Sequence, residues 1–229
     1  MTTPVKLVAM SIPTQKRTFC ALLTVAAFAA CGPSQQYNRP RDPLPLTPPA
    51  KIRAAARDQA EGKRRLLEGH RLQQEGNCPA AREEFTRARI LDGALTEATF
   101  GVAQCLELEG QLEQSLAMYR QSVKENPYDA GALTAIGRLL EPKGEHREAL
   151  SHYERAIAAN PSQLEARLGA ARELRRFNER ERAVDELKRA VEIHPACAEC
   201  FAELSELARE LGRPQEAADY LKRYRFLSR

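Results

Sequence analysis

One spacing constrains this chain more than any other feature: from Gly62 to Arg229 the same order of small, bulky and turn-forming residues returns every 34 residues. With frames beginning at 62, 96, 130, 164 and 198, the eighth position reads Gly69, Ala103, Gly137, Ala171 and Ser205. The fifteenth reads Gly76, Gly110, Gly144, Asn178 and Gly212. The twentieth is always small (Ala81, Ser115, Ala149, Ala183, Ala217), and four residues later stand Phe85, Tyr119, Tyr153, Leu187 and Leu221. The twenty-seventh reads Ala88, Ser122, Ala156, Ala190 and Tyr224, while Pro127, Pro161 and Pro195 share the thirty-second. Five frames without an insertion or deletion describe one structural unit, copied and stacked.

Within each frame Ala, Leu, Glu, Arg and Lys dominate, apolar residues recur at spacings of three and four, and no alternating β-branched run occurs, which is a helical pattern. Small residues at positions eight and twenty let two antiparallel helices approach, and the bulky residue at twenty-four fills the space between them. Gly or Asn at fifteen supplies a left-handed turn, and proline at thirty-two stops the second helix. This order resembles the tetratricopeptide repeat. The resemblance implies an all-α fold, a superhelix of five tandem helix–turn–helix repeats over residues 62–229, built to bind proteins and requiring no cofactor. At position twenty-eight Val123, Ile157 and Val191 give way to Arg225, so stacking is expected to end there on a partly polar face. Residues 51–61 are expected to extend the first helix and shield the start of the array.

The opposite end of the chain is different. Residues 1–17 carry Lys6, Lys16 and Arg17 and no acid, and residues 18–30 are uncharged, a secretory signal pattern too short to span a bilayer. Ala29, Ala30 and Cys31 resemble a bacterial lipobox, with Phe28 where an aliphatic residue is usual. That resemblance implies removal of residues 1–30, acylation of Cys31 and, with Gly32 and not Asp following, anchorage in the outer membrane facing the periplasm. The other reading is ordinary signal cleavage, because Ala27-Phe28-Ala29 also fits the small-x-small rule. Residues 31–50 are rich in proline and lack any periodic apolar pattern, so they read as an extended tether. The chain holds 35 Lys and Arg against 31 Asp and Glu, and three bases and no acid lie in the signal, so the remainder is near neutral. A nucleic-acid partner therefore has no compositional support.

Four cysteines lie beyond Cys31. Cys78, at the start of one second helix, and Cys105, late in the next first helix, should sit on neighbouring antiparallel helices and are expected to form a disulfide. Cys197-Ala-Glu-Cys200 lacks the strand–helix context of a thioredoxin, the histidine of a haem site and the fourth ligand of a zinc site. It reads as a short bridge or two ordinary thiols at a helix start. His70, His146, His152 and His194 form no HExxH motif, and GxSxG and phosphate-cradling glycine loops are missing, so no catalytic residue or metal site is assigned.

Function then falls to the concave face, which in the family the chain resembles comes mainly from the first helix of each repeat. Positions five, nine and twelve give Leu66, His70, Gln73; Phe100, Gln104, Glu107; Thr134, Arg138, Glu141; Leu168, Arg172, Arg175; and Ala202, Glu206, Arg209. Leu66, Phe100 and Leu168 as apolar anchors, with Arg138, Arg172, Arg175 and Arg176 as cations, suit a partner bearing an acidic group. In size and layout the chain resembles type IV pilus biogenesis and secretin-assembly lipoproteins. It is therefore expected to serve as an assembly or stability factor holding envelope proteins such as a secretin or pilus component. An adaptor for peptidoglycan-modifying enzymes is the second reading, and a redox or metal protein using Cys197 and Cys200 the third.

Overall fold

Four glycines and one asparagine adopt the left-handed backbone that the fifteenth position was expected to need: Gly76 (φ 79°), Gly110 (77°), Gly144 (78°), Asn178 (65°) and Gly212 (72°). Each reverses the chain between the two helices of a repeat in the computed structural model, which describes residues 50–228. The expected signal at 1–30, the acylated Cys31 and the tether as far as residue 49 lie outside the described residues.

The repeats are α1 (Ala50–Gln74) with α2 (Cys78–Leu91), α3 (Thr96–Leu108) with α4 (Leu112–Glu125), and α5 (Ala130–Leu140) with α6 (His146–Ala159). They continue with α7 (Leu164–Arg176) and α8 (Arg180–Ile193), then α9 (Ala198–Glu210) and α10 (Pro214–Leu227). A single 3-10 turn, Glu141–Lys143, prolongs α5. From the second repeat on, every first helix begins on the first residue of its 34-residue frame, and all five second helices begin on the seventeenth. The fold is an all-α tandem-repeat superhelix. Residues 51–60 continue α1 as helix and are all exposed, so they cover no core.

Side-chain caps fix the ends. Asn77 accepts from the Ala80 N–H at 3.3 Å at the start of α2, and Asp129 from Ala132 at 3.0 Å at the start of α5. Between repeats, Asp92, Asn126 and Asn160 accept from backbone N–H groups two residues on, at 3.1, 3.2 and 3.1 Å. These Asx turns, immediately before the proline position, were not read from the sequence.

Packing follows the small–bulky–small order. Phe85, Tyr119, Tyr153 and Leu187 are at most 2% exposed. Phe85 lies against Gly69 of its own repeat and Gly101 of the next, and Tyr153 lies likewise between Gly137 and Gly169. Helix approach is so close that serine replaces alanine only by bonding across: Ser115 donates to the Ala103 carbonyl at 2.8 Å, and Ser205 to the Ala217 carbonyl at 2.9 Å. Buried Arg167 is fully engaged by Glu186 at 2.5 Å and by the Pro161 carbonyl at 2.9 and 2.8 Å. Arg65 repeats that register in the first hairpin, reaching Glu84 at 2.9 Å.

The cysteines divide differently from expectation. Cys197 and Cys200 form a disulfide across the first turn of α9, with their Cα atoms 5.4 Å apart, and the Cys197 sulfur also accepts from the Cys200 N–H at 3.1 Å. Cys78 and Cys105 are not bridged. They are buried free thiols in contact with each other across α2 and α3. Burial first, then the neighbouring Cys78, pushes the Cys105 thiol up to about 12, so the thiolate that disulfide exchange requires is scarce at neutral pH.

Candidate functional site

The first helices α1, α3, α5, α7 and α9 bring their ninth and twelfth positions to one surface, as expected, but what assembles there is a ladder between repeats. Gln73 donates to Gln104 at 3.1 Å, Arg138 to Glu107, and Arg175 to Glu206 at 2.9 Å; each pair is 31 residues apart and joins position twelve of one repeat to position nine of the next. Position nine also reaches forward to position two: Arg138 to Glu165 at 3.1 Å and Arg172 to Glu199 at 3.7 Å. The second helices carry a matching ladder, with Arg120 on Glu148 at 3.1 Å and Arg182 on Glu154 at 2.9 Å, the same two frame positions with the charges exchanged.

This rearranges the expected partner-binding set. Leu66 and Leu168 are 7% and 5% exposed and belong to the core, because the fifth position turns inward between neighbouring helices. Phe100 is half-buried, its ring 5.5 Å from that of Tyr119 and against Gly131, so it fills the joint between repeats two and three and is not an open anchor. Arg138 is held from both sides by Glu107 and Glu165. Arg175 is held by Glu206, Glu210 and, at 3.6 Å, Glu203. Arg172 and Arg176 are looser: their nearest carboxylates, Glu199 and Glu173, stand at 3.7 and 3.6 Å, and their side chains are 42% and 58% exposed.

Those two arginines line a groove of 340 Å³ with Arg175, Arg180 and a single acid, Glu210. Arg180 was missed because it opens α8, outside the helix set taken as concave; it reaches Glu210 at 2.8 Å. Hydrogen bonds from Arg180 and Arg175 hold the Glu210 carboxyl below the usual carboxylate range. Glu203 behaves oppositely: burial raises it despite the nearby Arg172 and Arg175. The groove therefore gathers four guanidinium forks, of which Arg175 and Arg180 are tightly paired while Arg172 and Arg176 hold their carboxylates loosely enough to engage another. Among the described residues no cluster of His, Cys, Asp and Glu is arranged to hold a metal ion. Nor is any described helix long and apolar enough to cross a membrane.

Tetratricopeptide-repeat family models match residues 66–130 and 143–202, which together span more than half of the chain. The protein belongs to the tetratricopeptide repeat family. Solved structures of this family share the fold: MamA from Desulfovibrio magneticus has a TM-score of 0.62 at 16% identity, covering 73% of this chain and 95% of that one. YrrB, described as a TPR protein with an unusual peptide-binding site, gives 0.60 at 16% identity, with 78% and 92% covered. Pseudomonas aeruginosa pilF gives 0.65 at 15% identity, with 73% and 76% covered. No curated protein sequence matches the chain significantly. Membership makes this tetratricopeptide repeat protein a scaffold for protein–protein interaction, whose partners are peptides or proteins.

Proposed function

We propose that this tetratricopeptide repeat protein is exported, acylated at Cys31, and held on the periplasmic face of the outer membrane. There it acts as an assembly or stability factor for an envelope machine such as a type IV pilus secretin. The observation that carries the binding mode is the groove lined by Arg172, Arg175, Arg176, Arg180 and Glu210, in which Arg172 and Arg176 stand 3.7 and 3.6 Å from their carboxylates. A partner segment that places a carboxylate there gains charge-assisted hydrogen bonds without breaking the tighter ladder of Arg138. The signal-like residues 18–30, the small residues before Cys31 and the Cys197–Cys200 disulfide together support an oxidising, extracytoplasmic location. Likeness of fold to pilF and to the peptide-binding YrrB supports a peptide-holding role.

The test is capture from detergent-solubilised envelopes of the native host, comparing the wild-type chain with an Arg172→Glu/Arg176→Glu variant, alongside mass spectrometry of the mature N-terminus. Secretin or pilus components should accompany wild type and be lost from the variant, and the first residue should be an acylated Cys31. Capture of cell-wall enzymes in their place would overturn the pilus assignment. An unmodified N-terminus would overturn the anchor.

A further inference from the structure

Each second helix within the array is covered twice, by its own first helix and by the first helix that follows; α10 packs against α9. The consequence shows at position twenty-four, where Phe85, Tyr119, Tyr153 and Leu187 are at most 2% exposed but Leu221 is 36% exposed. Beside it Phe226 is 74% exposed, and Ala218, Leu221, Lys222, Arg225 and Phe226 line an open groove of 410 Å³. Three cations stand together beside these apolar side chains. The ladder arginines each have a carboxylate, whereas Lys222, Arg223 and Arg225 form no ion pair among the described residues. Arg225 in the last turn of α10 suits the helix dipole, but that accounts neither for Lys222 and Arg223 nor for the exposed leucine and phenylalanine among them.

We propose that the outer face of α10 is a second docking surface, taken by an acidic amphipathic helix of a partner protein that sits where the first helix of a further repeat would lie. The array itself defines what such a helix must present. Helices α3, α5 and α7 place Ala98, Ala132 and Ala166 at their third position, Gly101, Ala135 and Gly169 at the sixth, and Val102, Ile136 and Ala170 at the seventh. All nine are buried; α9, which packs on α8, likewise buries Cys200 and Leu204 at the third and seventh positions but carries half-buried Glu203 at the sixth. The occupant therefore carries a small residue and, four residues on, an apolar one, with acids on its flanks to meet Lys222, Arg223 and Arg225. A second copy of this chain does not meet that requirement. Its α1 offers Arg64, Leu67 and Glu68 at the same positions, and with seven bases against three acids it would repel the basic face.

The probe is a synthetic helical peptide with repeated Ala-x-x-Ala-Leu spacing and glutamates on both flanks, titrated against the full chain by fluorescence anisotropy. A lysine-flanked copy is the control. The acidic peptide should bind, the lysine copy should not, and binding should weaken at least about tenfold in a Lys222→Glu/Arg225→Glu variant and in Leu221→Glu. The Arg172→Glu/Arg176→Glu variant should bind the probe normally, so failure here is distinct from failure of the groove on the first helices. Helical circular dichroism checks that each variant is folded. Binding unchanged by the α10 variants, or lost only in the groove variant, would overturn the proposal. So would self-association in sedimentation that Leu221→Glu abolishes, or binding to phosphatidylglycerol vesicles through α10 with no response to the peptide.

Discussion

Gly169→Ala sets two physical effects against each other with opposite signs. In a helix interior alanine outranks glycine by about 1 kcal/mol, so on propensity alone the change should stabilise α7. The packing says otherwise. A Cβ at residue 169 would stand 2.3 Å from Cζ of Tyr153 and 2.6 Å from both Cε atoms, where carbon atoms ordinarily rest about 3.5–4.0 Å apart. The ring cannot retreat, because Gly137 is pressed against its other side and its hydroxyl is bonded to Glu141. Repeats three and four must separate, an overpacking cost at the upper end of the usual range, about 3 kcal/mol. The net is a destabilisation of about 2 kcal/mol, a fall of about 4–8 °C in melting midpoint for a chain of this size. Thermal melts followed by circular dichroism read it directly. In a Tyr153→Leu background the same Gly169→Ala change should cost nothing, because leucine lacks the Cζ and Cε atoms that crowd the new Cβ. A midpoint that rises, or a penalty that persists without the ring, would refute the interlocking of repeats through this site.

Three further outcomes follow from the ladders and the thiols. Arg138→Glu should lower stability by about 1–2 kcal/mol, more than an exposed residue usually costs, because it places a third carboxylate between Glu107 and Glu165; urea titration measures this. Native protein should resist alkylation by iodoacetamide at both Cys78 and Cys105, and label at both after unfolding, whereas Cys197 and Cys200 should label only after reduction, as peptide mapping will report. The folded Glu210 carboxyl is depressed by Arg180 and Arg175, so its contribution is fully present above the ordinary carboxylate pKa and is lost as pH falls through the lower native value. Denaturation curves taken at successively lower pH should therefore converge for wild type and Glu210→Gln at the acid end.

Much of the architecture was legible in the sequence because its determinants are local and repeat in register. A glycine or asparagine that must take positive φ, a proline that ends a helix, and a small residue that admits its neighbour each act within one frame or across one joint, so five copies place ten helices almost to the residue. Side-chain partnership across repeats was not legible in the same way. That Phe100 fills a joint, that Leu66 and Leu168 turn inward, and that Arg138 is claimed by Glu107 and Glu165 depend on the angle at which one hairpin lies on the next. The pairing of residues 31 apart was available as a charge pattern, but only the stacked structure says which position faces which. The cysteines show the same division: the sequence brought Cys78 and Cys105 to neighbouring helices, while in the structure both are buried and unbridged, with burial raising the Cys105 thiol. The sequence alone determined the unit and its repetition, because backbone sterics and helix periodicity act over a few residues. Only the tertiary structure decided which charges pair tightly and which face stays bare, because those depend on how far apart side chains from different repeats come to rest.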